Sequence, residues 1–391
     1  MFKNELNNKL FALLRSVLWG EELNRSLFED LNEETLEELY KISKKHDMAH
    51  IVGAALDKAD LLAEGKTSEK FAKQQLVAIY RYENIQYELD SICATLDKAN
   101  IAYIPLKGSV IRSLYPEPWM RSSCDIDILV HEDDLEAAVA ALESDLGYKA
   151  EKNRAYHDIS LYSESGVHLE LHFSIKEKIE SLDRVLSRVW DYATPSGQGC
   201  KHDLSKEFFI YHAVAHDSYH FANGGCGIRS IADLWYLTKD GDFDEEIVLT
   251  LCRESGIERF YLAILELSQV WFGKGEHSDL SRRVEKYILS GGTFGETETR
   301  IALKQDAKGG KVGYVLSRIF VPYEHLKIKY PSLKSRALIP VYQVRRWIDS
   351  IAEGGLSRSA EELKTSAHID KSGFEEEIDL LSELEIKDHL K

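Results

Sequence analysis

Two aspartates one residue apart stand in the run Cys124-Asp125-Ile126-Asp127-Ile128-Leu129-Val130, and a Gly-Ser pair stands upstream in Leu106-Lys107-Gly108-Ser109. Side chains at i and i+2 of a strand share a face. Ile126, Ile128 and Val130 therefore predict a strand with its apolar side in the core and Asp125 and Asp127 projecting together from the other side. Glycine lets a backbone approach a phosphate closely, and the N–H groups that open a helix favour an anion. Two convergent carboxylates near such a turn suit a divalent cation carrying a nucleoside triphosphate. Mg2+, or Mn2+ in its place, is the expected ion, because Mg2+ binds carboxylates together with phosphate oxygens and water.

Nucleotidyl transfer needs a held triphosphate, neutralised charge and an activated hydroxyl, and paired metal ions on carboxylates serve the last two. A third carboxylate is expected in Val167-His168-Leu169-Glu170-Leu171-His172-Phe173. Alternation places His168, Glu170 and His172 on one strand face. Glu170 is the candidate to complete the metal set with Asp125 and Asp127 and to help deprotonate an acceptor hydroxyl. Asp158, on the preceding strand, competes for that role. His172 reads as a hydrogen-bonding neighbour of the site. Lys107, Gly108, Ser109 and Arg121 are the nucleotide-binding candidates, the two cations through phosphate oxygens. The bland alternative is an ordinary strand-to-helix turn with surface charges. His168 and His172 also admit a zinc reading, with a zinc-dependent hydrolase as its functional form.

The elements that would position these residues follow from apolar periodicity. Residues 1–98 read as helical, the longest helix spanning 68–98 with Phe71, Leu76, Ile79, Tyr82, Ile85, Leu89, Ile92 and Leu96 as its stripe. Strands are expected at 101–106, 125–130, 148–151, 157–162 and 167–173, with helices at 110–115 and 133–146. After Ser174 the pattern is helical again, with helices at 206–221, 228–237, 245–254 and 258–271. This predicts an α+β chain: a small mixed-sheet core at 99–178 between helical regions at 1–98 and 179–353, with a charged tail at 354–391 that either docks as one amphipathic helix or stays mobile. His212, His216 and His220 recur every four residues on one helix face and read as a structural cluster near the cleft. Arg229 and Asp233, also four apart, are expected to pair. Lys311, Arg318, Lys327, Lys329, Lys334, Arg336, Arg345 and Arg346 form a basic segment, read as a solvated helical surface.

The run from Ile104 to Val130 resembles the DNA polymerase β-like nucleotidyltransferase superfamily. Within it, the chain looks like the bacterial family of uncharacterised nucleotidyltransferases (the NTP_transf_5 type). The resemblance rests on Leu106-Lys107-Gly108, Tyr115-Pro116, Arg121, Asp125 to Val130 and Glu170-Leu171-His172. More weakly, it continues through His212, His216, Gly227-Ile228-Arg229 and Asp233-Leu234, and through Arg318 to Trp347 with Tyr330-Pro331, so that it covers most of residues 30–350. The Ser109-to-Asp125 separation exceeds the shortest superfamily pattern by the Pro116-Glu117-Pro118-Trp119 insertion. The resemblance implies a polymerase β-like fold, a divalent metal, and transfer of a nucleoside monophosphate from an NTP such as ATP. It names no acceptor.

Composition narrows the partners. The 391 residues carry a formal net charge of −17, which disfavours long-range attraction to nucleic acid. A small molecule or a protein is therefore the expected acceptor ahead of RNA. Five cysteines without a CxxC pair point to a reducing cytoplasm, with neither a disulfide framework nor a zinc ribbon. Cys124 is expected to be a buried strand residue. The N-terminal stretch, with charges interleaved among Leu6, Leu10, Leu13, Leu14, Val17 and Leu18, is neither a signal peptide nor a membrane span. The main competing function is a nucleotide-binding or scaffold protein without catalysis, which predicts a damaged carboxylate set.

Overall fold

The computed structural model describes residues 2–62, 64–151, 154–292, 297–323, 326–327, 330, 332–352, 366 and 374–390. Four helices come first: α1 (Phe2–Leu18), α2 (Glu33–Lys45), α3 (Ala49–Lys58) and α4 (Lys66–Lys98). Asn32 caps α2 by accepting the Thr35 N–H at 3.0 Å, which satisfies one of the orphan donors of the first turn. On α4, Phe71, Ala78, Ile85, Leu89, Ile92 and Leu96 are buried. Leu76, expected on that stripe, is 69% exposed. At 100° per residue it lies far around the helix from the face that Phe71 and Ala78 define.

The chain then alternates: β1 (Tyr103–Pro105), α5 (Gly108–Ile111), β2 (Asp125–Val130), α6 (Leu135–Leu146), β3 (Lys149–Ala150), β4 (Asp158–Tyr162) and β5 (His168–His172). The strands form one mixed sheet in the order β1-β2-β5-β4-β3. Only the central β2–β5 pair is parallel. One face of the sheet is apolar. Ile126, Ile128, Val130, Leu161, Leu169 and Leu171 pack there with Ile85, Leu89, Ile92 and Leu96 of α4 and Leu135, Ala138 and Leu142 of α6. Burial on that face fixes the register, because a one-residue slip would invert every side chain.

The helix expected at 110–115 is a single turn, α5, continued by a 3-10 turn at Arg112–Leu114. Pro116 and Pro118 end it, since proline cannot donate to a helix. Cys124 is exposed rather than buried. It precedes the paired residues of β2, so strand alternation does not reach it.

Beyond the sheet come α7 (Glu180–Leu186), a hairpin of β6 (Ala193–Pro195) and β7 (His202–Leu204), then α8 (Lys206–Ala222), α9 (Ile228–Thr238), α10 (Glu245–Ser255), α11 (Glu258–Phe272), α12 (Asp279–Gly291), α13 (Thr297–Ala307) and α14 (Lys311–Ile319). The β6–β7 hairpin interrupts the helical reading of this region. Its strands are three residues long, too short to register as a period, and Lys201 bridges to Tyr103 at the edge of the main sheet.

Two further helices span Ile339–Ala352 and Glu375–Glu383. The second docks: Leu380, Leu381, Leu384 and Ile386 are buried in the core shared with α1, α3, α8, α9 and α11. In the basic segment, Arg346 donates to the Ile319 carbonyl at 2.8 Å and Arg345 lies over the Tyr330 ring. Lys329, Pro331 and Gly354 lie outside the described residues. Among the described residues, no helix is long and apolar enough to cross a membrane.

Candidate active site

The polar face of the sheet carries the expected chemistry. In the parallel β2–β5 register, Asp125 stands beside His168 and Asp127 beside Glu170. Across the antiparallel β5–β4 pair, Asp158 stands opposite His172. Each pairing puts both side chains on one face, so side chains from three strands converge.

Asp127 is the buried centre, 5% exposed. Its Oδ1 accepts from His172 Nε2 at 2.9 Å and from Lys107 Nζ at 3.3 Å. Glu170 Oε2 lies 3.5 Å from the same His172 nitrogen. Burial alone would raise the Asp127 pKa, but Lys107 and His172 outweigh it and hold the carboxyl well below its usual range. Burial likewise opposes the His172 imidazolium. Hydrogen bonds to Asp127 and Glu170 reverse that and push its pKa up to about 9. Lys107 is desolvated yet raised, because Asp127, Glu177, Glu170 and Asp125 surround it. Asp125 is raised by burial and by its acidic neighbours Asp127 and Glu170. Glu170 is lowered, chiefly by its hydrogen bond from His172.

These groups border a cavity of about 350 Å3. Asp125, Glu170, His172 and Lys107 form one wall, and His212, His216, Tyr219 and His220 of α8 form another. His157, Glu177 and Lys178 also line it, with Leu106 and Ile175. His216 Nδ1 donates to Glu177 Oε1 at 2.8 Å. Burial nevertheless lowers His216 well below the usual imidazole value, and takes His212 down to about 3. Both lysines of the cavity have left-handed backbones, with φ of 40° at Lys107 and 64° at Lys178. Non-glycine residues adopt that region at a cost, and such positions cluster at functional sites. Sequence reasoning placed the α8 histidines near the cleft but missed His157, Glu177 and Lys178. The last two lie in the segment between β5 and α7, where no periodic pattern marks them.

Of the remaining nucleotide-binding candidates, Gly108 and Ser109 follow the cavity-lining Lys107 and open α5. α5 packs against β2 and α9. A Cβ on Gly108 would come within 2.5 Å of Arg121 Nη1, so glycine is what lets the guanidinium lie against the turn. Ser109 Oγ is buried with no hydrogen-bond partner among the described residues. Arg121 does not face open solvent. Its side chain is 9% exposed, and Nη2 and Nε meet Asp233 Oδ2 at 2.8 and 3.2 Å. Tyr115 donates to the other Asp233 oxygen at 2.7 Å. The expected Arg229–Asp233 pair is therefore replaced. Asp233 turns toward α5 and the turns that follow it, and Arg229 reaches Asp47 Oδ2 at 3.2 Å and the Ser122 carbonyl at 3.0 Å. His168 stacks on Tyr162, with ring centroids 4.8 Å apart.

The donor set can hold a cation. Asp127, Glu170 and His172 each offer a ligand atom, all within 4.8 Å of one another, whereas His168 belongs to neither of the donor groups among the described residues. Two carboxylates plus an imidazole suit Mn2+, and the carboxylates alone, with Asp125 beside them, suit Mg2+. The unpartnered Ser109 hydroxyl adds a donor of the kind a phosphate oxygen would take.

A mixed sheet with a carboxylate-lined polar face, flanked by helices, is the architecture of a nucleotidyltransferase core. A family model described as uncharacterised nucleotidyltransferase matches residues 32–273, more than half of the chain, and the protein belongs to that family. The match stops short of the Arg318–Trp347 stretch, where the sequence resemblance was expected to continue. Comparison with curated proteins and with solved structures gives no match.

Proposed function

We propose that this protein transfers a nucleoside monophosphate from an NTP to an acceptor hydroxyl, releasing pyrophosphate, with Mg2+ or Mn2+ as cofactor. The observation that carries this reading is the convergence of Asp125, Asp127 and Glu170 with Lys107 on one strand face beside a cavity of about 350 Å3. Asp125, Asp127 and Glu170 would hold the cation, which neutralises triphosphate charge and lowers the barrier to attack at the α-phosphorus. The acceptor oxygen forms the new bond to that phosphorus while the bond to the pyrophosphate oxygen breaks. Glu170, whose side chain is 29% exposed toward the cavity, accepts the hydroxyl proton. Lys107 adds positive charge beside the leaving group.

Ser109 and the Gly108 backbone, next in the chain after the cavity-lining Lys107, are the phosphate contacts of this reading. Arg121 acts chiefly by fixing the turn, since Asp233 already engages it. The cavity admits a small molecule or a protruding side chain, and the net charge of −17 disfavours a polyanionic acceptor such as RNA. The protein is incubated with each α-labelled NTP, Mg2+ or Mn2+, and a lysate of its source. Transfer of label that an Asp125→Ala/Asp127→Ala variant abolishes supports the proposal. Transfer unaffected by that variant removes the site assignment. NTP binding without transfer favours a binding protein, and neither binding nor transfer contradicts the reading altogether.

A further inference from the structure

A second donor group lies on the same sheet, one strand further from Asp127. His157, Asp158 and His172 each present a ligand atom, and these atoms fall within 4.8 Å of one another. Asp158 opens β4 directly opposite His172, and the two are 6% and 3% exposed. His157 immediately precedes β4, with Nε2 3.4 Å from Asp158 Oδ1 and its ring centroid 5.3 Å from that of His172.

The hydrogen bonds select the free nitrogens. His157 Nδ1 donates to the Lys176 carbonyl at 2.7 Å, which leaves Nε2 with its lone pair on the Asp158 side. His172 Nε2 is taken by Asp127. His172 Nδ1 is then a buried nitrogen with no hydrogen-bond partner among the described residues. Buried polar atoms are almost always satisfied, so an orphan among potential ligands points to a missing one. Both imidazoles are already held by the kind of outer contact that metal-bound histidines have: a backbone carbonyl for one, a carboxylate for the other.

We propose that His157 Nε2, the Asp158 carboxylate and His172 Nδ1 bind one transition-metal cation of the zinc type, beside the Asp125, Asp127 and Glu170 carboxylates on the same sheet face. Two imidazoles and one carboxylate are the donors zinc accepts in three-ligand sites, and they are too nitrogen-rich for Mg2+. Binding displaces any proton on His172 Nδ1. The shared His172 ring ties the two sites: its Nδ1 binds the cation, and its Nε2–H holds Asp127. His157 lines the cavity, so a remaining coordination position opens toward it. The zinc expectation raised by the sequence involved His168. The donors that lie together beside His172 are His157 and Asp158 instead.

The full-length protein is stripped with a chelator and titrated with Co2+, a spectroscopic substitute for Zn2+, in wild-type form and as His157→Gln, Asp158→Asn and Asp125→Asn. Wild type is expected to take up one equivalent, to show the visible absorption of a low-coordinate nitrogen–oxygen site, and to lose it to Zn2+ but not to millimolar Mg2+. His157→Gln and Asp158→Asn should each weaken binding by about tenfold or more, while Asp125→Asn matches wild type. Circular dichroism establishes that the variants fold, and the partly exposed His157 position keeps the test available if Asp158→Asn does not. Absent absorption in wild type, or unchanged affinity in folded His157→Gln, overturns the proposal. An equal loss in Asp125→Asn also overturns it, by placing the ion among the Asp125, Asp127 and Glu170 carboxylates.

Discussion

Asp127 accepts from the His172 imidazole and the Lys107 ammonium at once, and a carboxylate this deep is stable only because it is paired. Around it the carboxylates divide: Asp125 is pushed up by burial and like charge, while Glu170 is held down by His172. On the proposed mechanism, Glu170→Gln keeps the shape of the site and removes its proton acceptor. Its turnover is expected to fall by about 10²–10⁴-fold at saturating metal and NTP, read from single-turnover rates. The Arg121–Asp233 pair yields a prediction of a different kind. Both side chains are 9% exposed. Arg121→Ala leaves Asp233 charged and buried, and should cost about 3–5 kcal/mol in urea unfolding. Arg121→Met combined with Asp233→Leu should recover most of that loss. If the single variant is no less stable than wild type, the pair is not structural. That Asp125 shares a face with Asp127, and Glu170 with His168 and His172, was legible from alternation alone, because a two-residue period states directly which side chains of one strand share a face. The Asp233 partner was not: a four-residue spacing says that Arg229 can reach it, but not that Arg121 reaches it from another element.

At the scale of elements, the register of β2 against β5 turns two separate sequence patterns into one site. It is set by the apolar faces packed under α4 and α6, and those faces were readable as alternating residues. The helices of the second half were readable for the same reason, their apolar stripes being long enough to show a period. The short β6–β7 hairpin was not readable, and neither were Glu177 and Lys178, which sit in the segment after β5 and owe their place in the cavity to where α8 packs. α2 ends at His46, a fully buried imidazole whose pKa burial lowers to about 4. A base depressed in the fold contributes stability that is fully present above its unfolded value near 6.5 and is lost as pH falls through 4. His46 should account for about 3 kcal/mol of that loss. Urea midpoints measured between pH 7.5 and 4 should decline, and His46→Leu should flatten part of the slope. An identical slope in the variant would show that His46 is not the group responsible.

On the scale of the whole molecule, helices before and after the sheet make a single large core, and the C-terminal segment belongs to it. Leu380, Leu381, Leu384 and Ile386 are 0–2% exposed, and Lys387 pairs with Asp306 at 2.8 Å. Each such side chain contributes about 1.5–3 kcal/mol of burial before the cost of ordering the segment. Deleting residues 374–391 should therefore lower the thermal midpoint clearly and expose an apolar patch that promotes aggregation. An unchanged midpoint would mean that the segment is not part of the folded core. The reaction itself is tested most directly by parallel incubations with α-labelled and γ-labelled NTP in the presence of Mg2+ and a source lysate. The account predicts that the α label enters the acceptor and the γ label leaves as pyrophosphate, both in wild type and neither in the Asp125→Ala/Asp127→Ala variant. Appearance of the γ label in the acceptor would contradict it, because that result defines phosphoryl rather than nucleotidyl transfer.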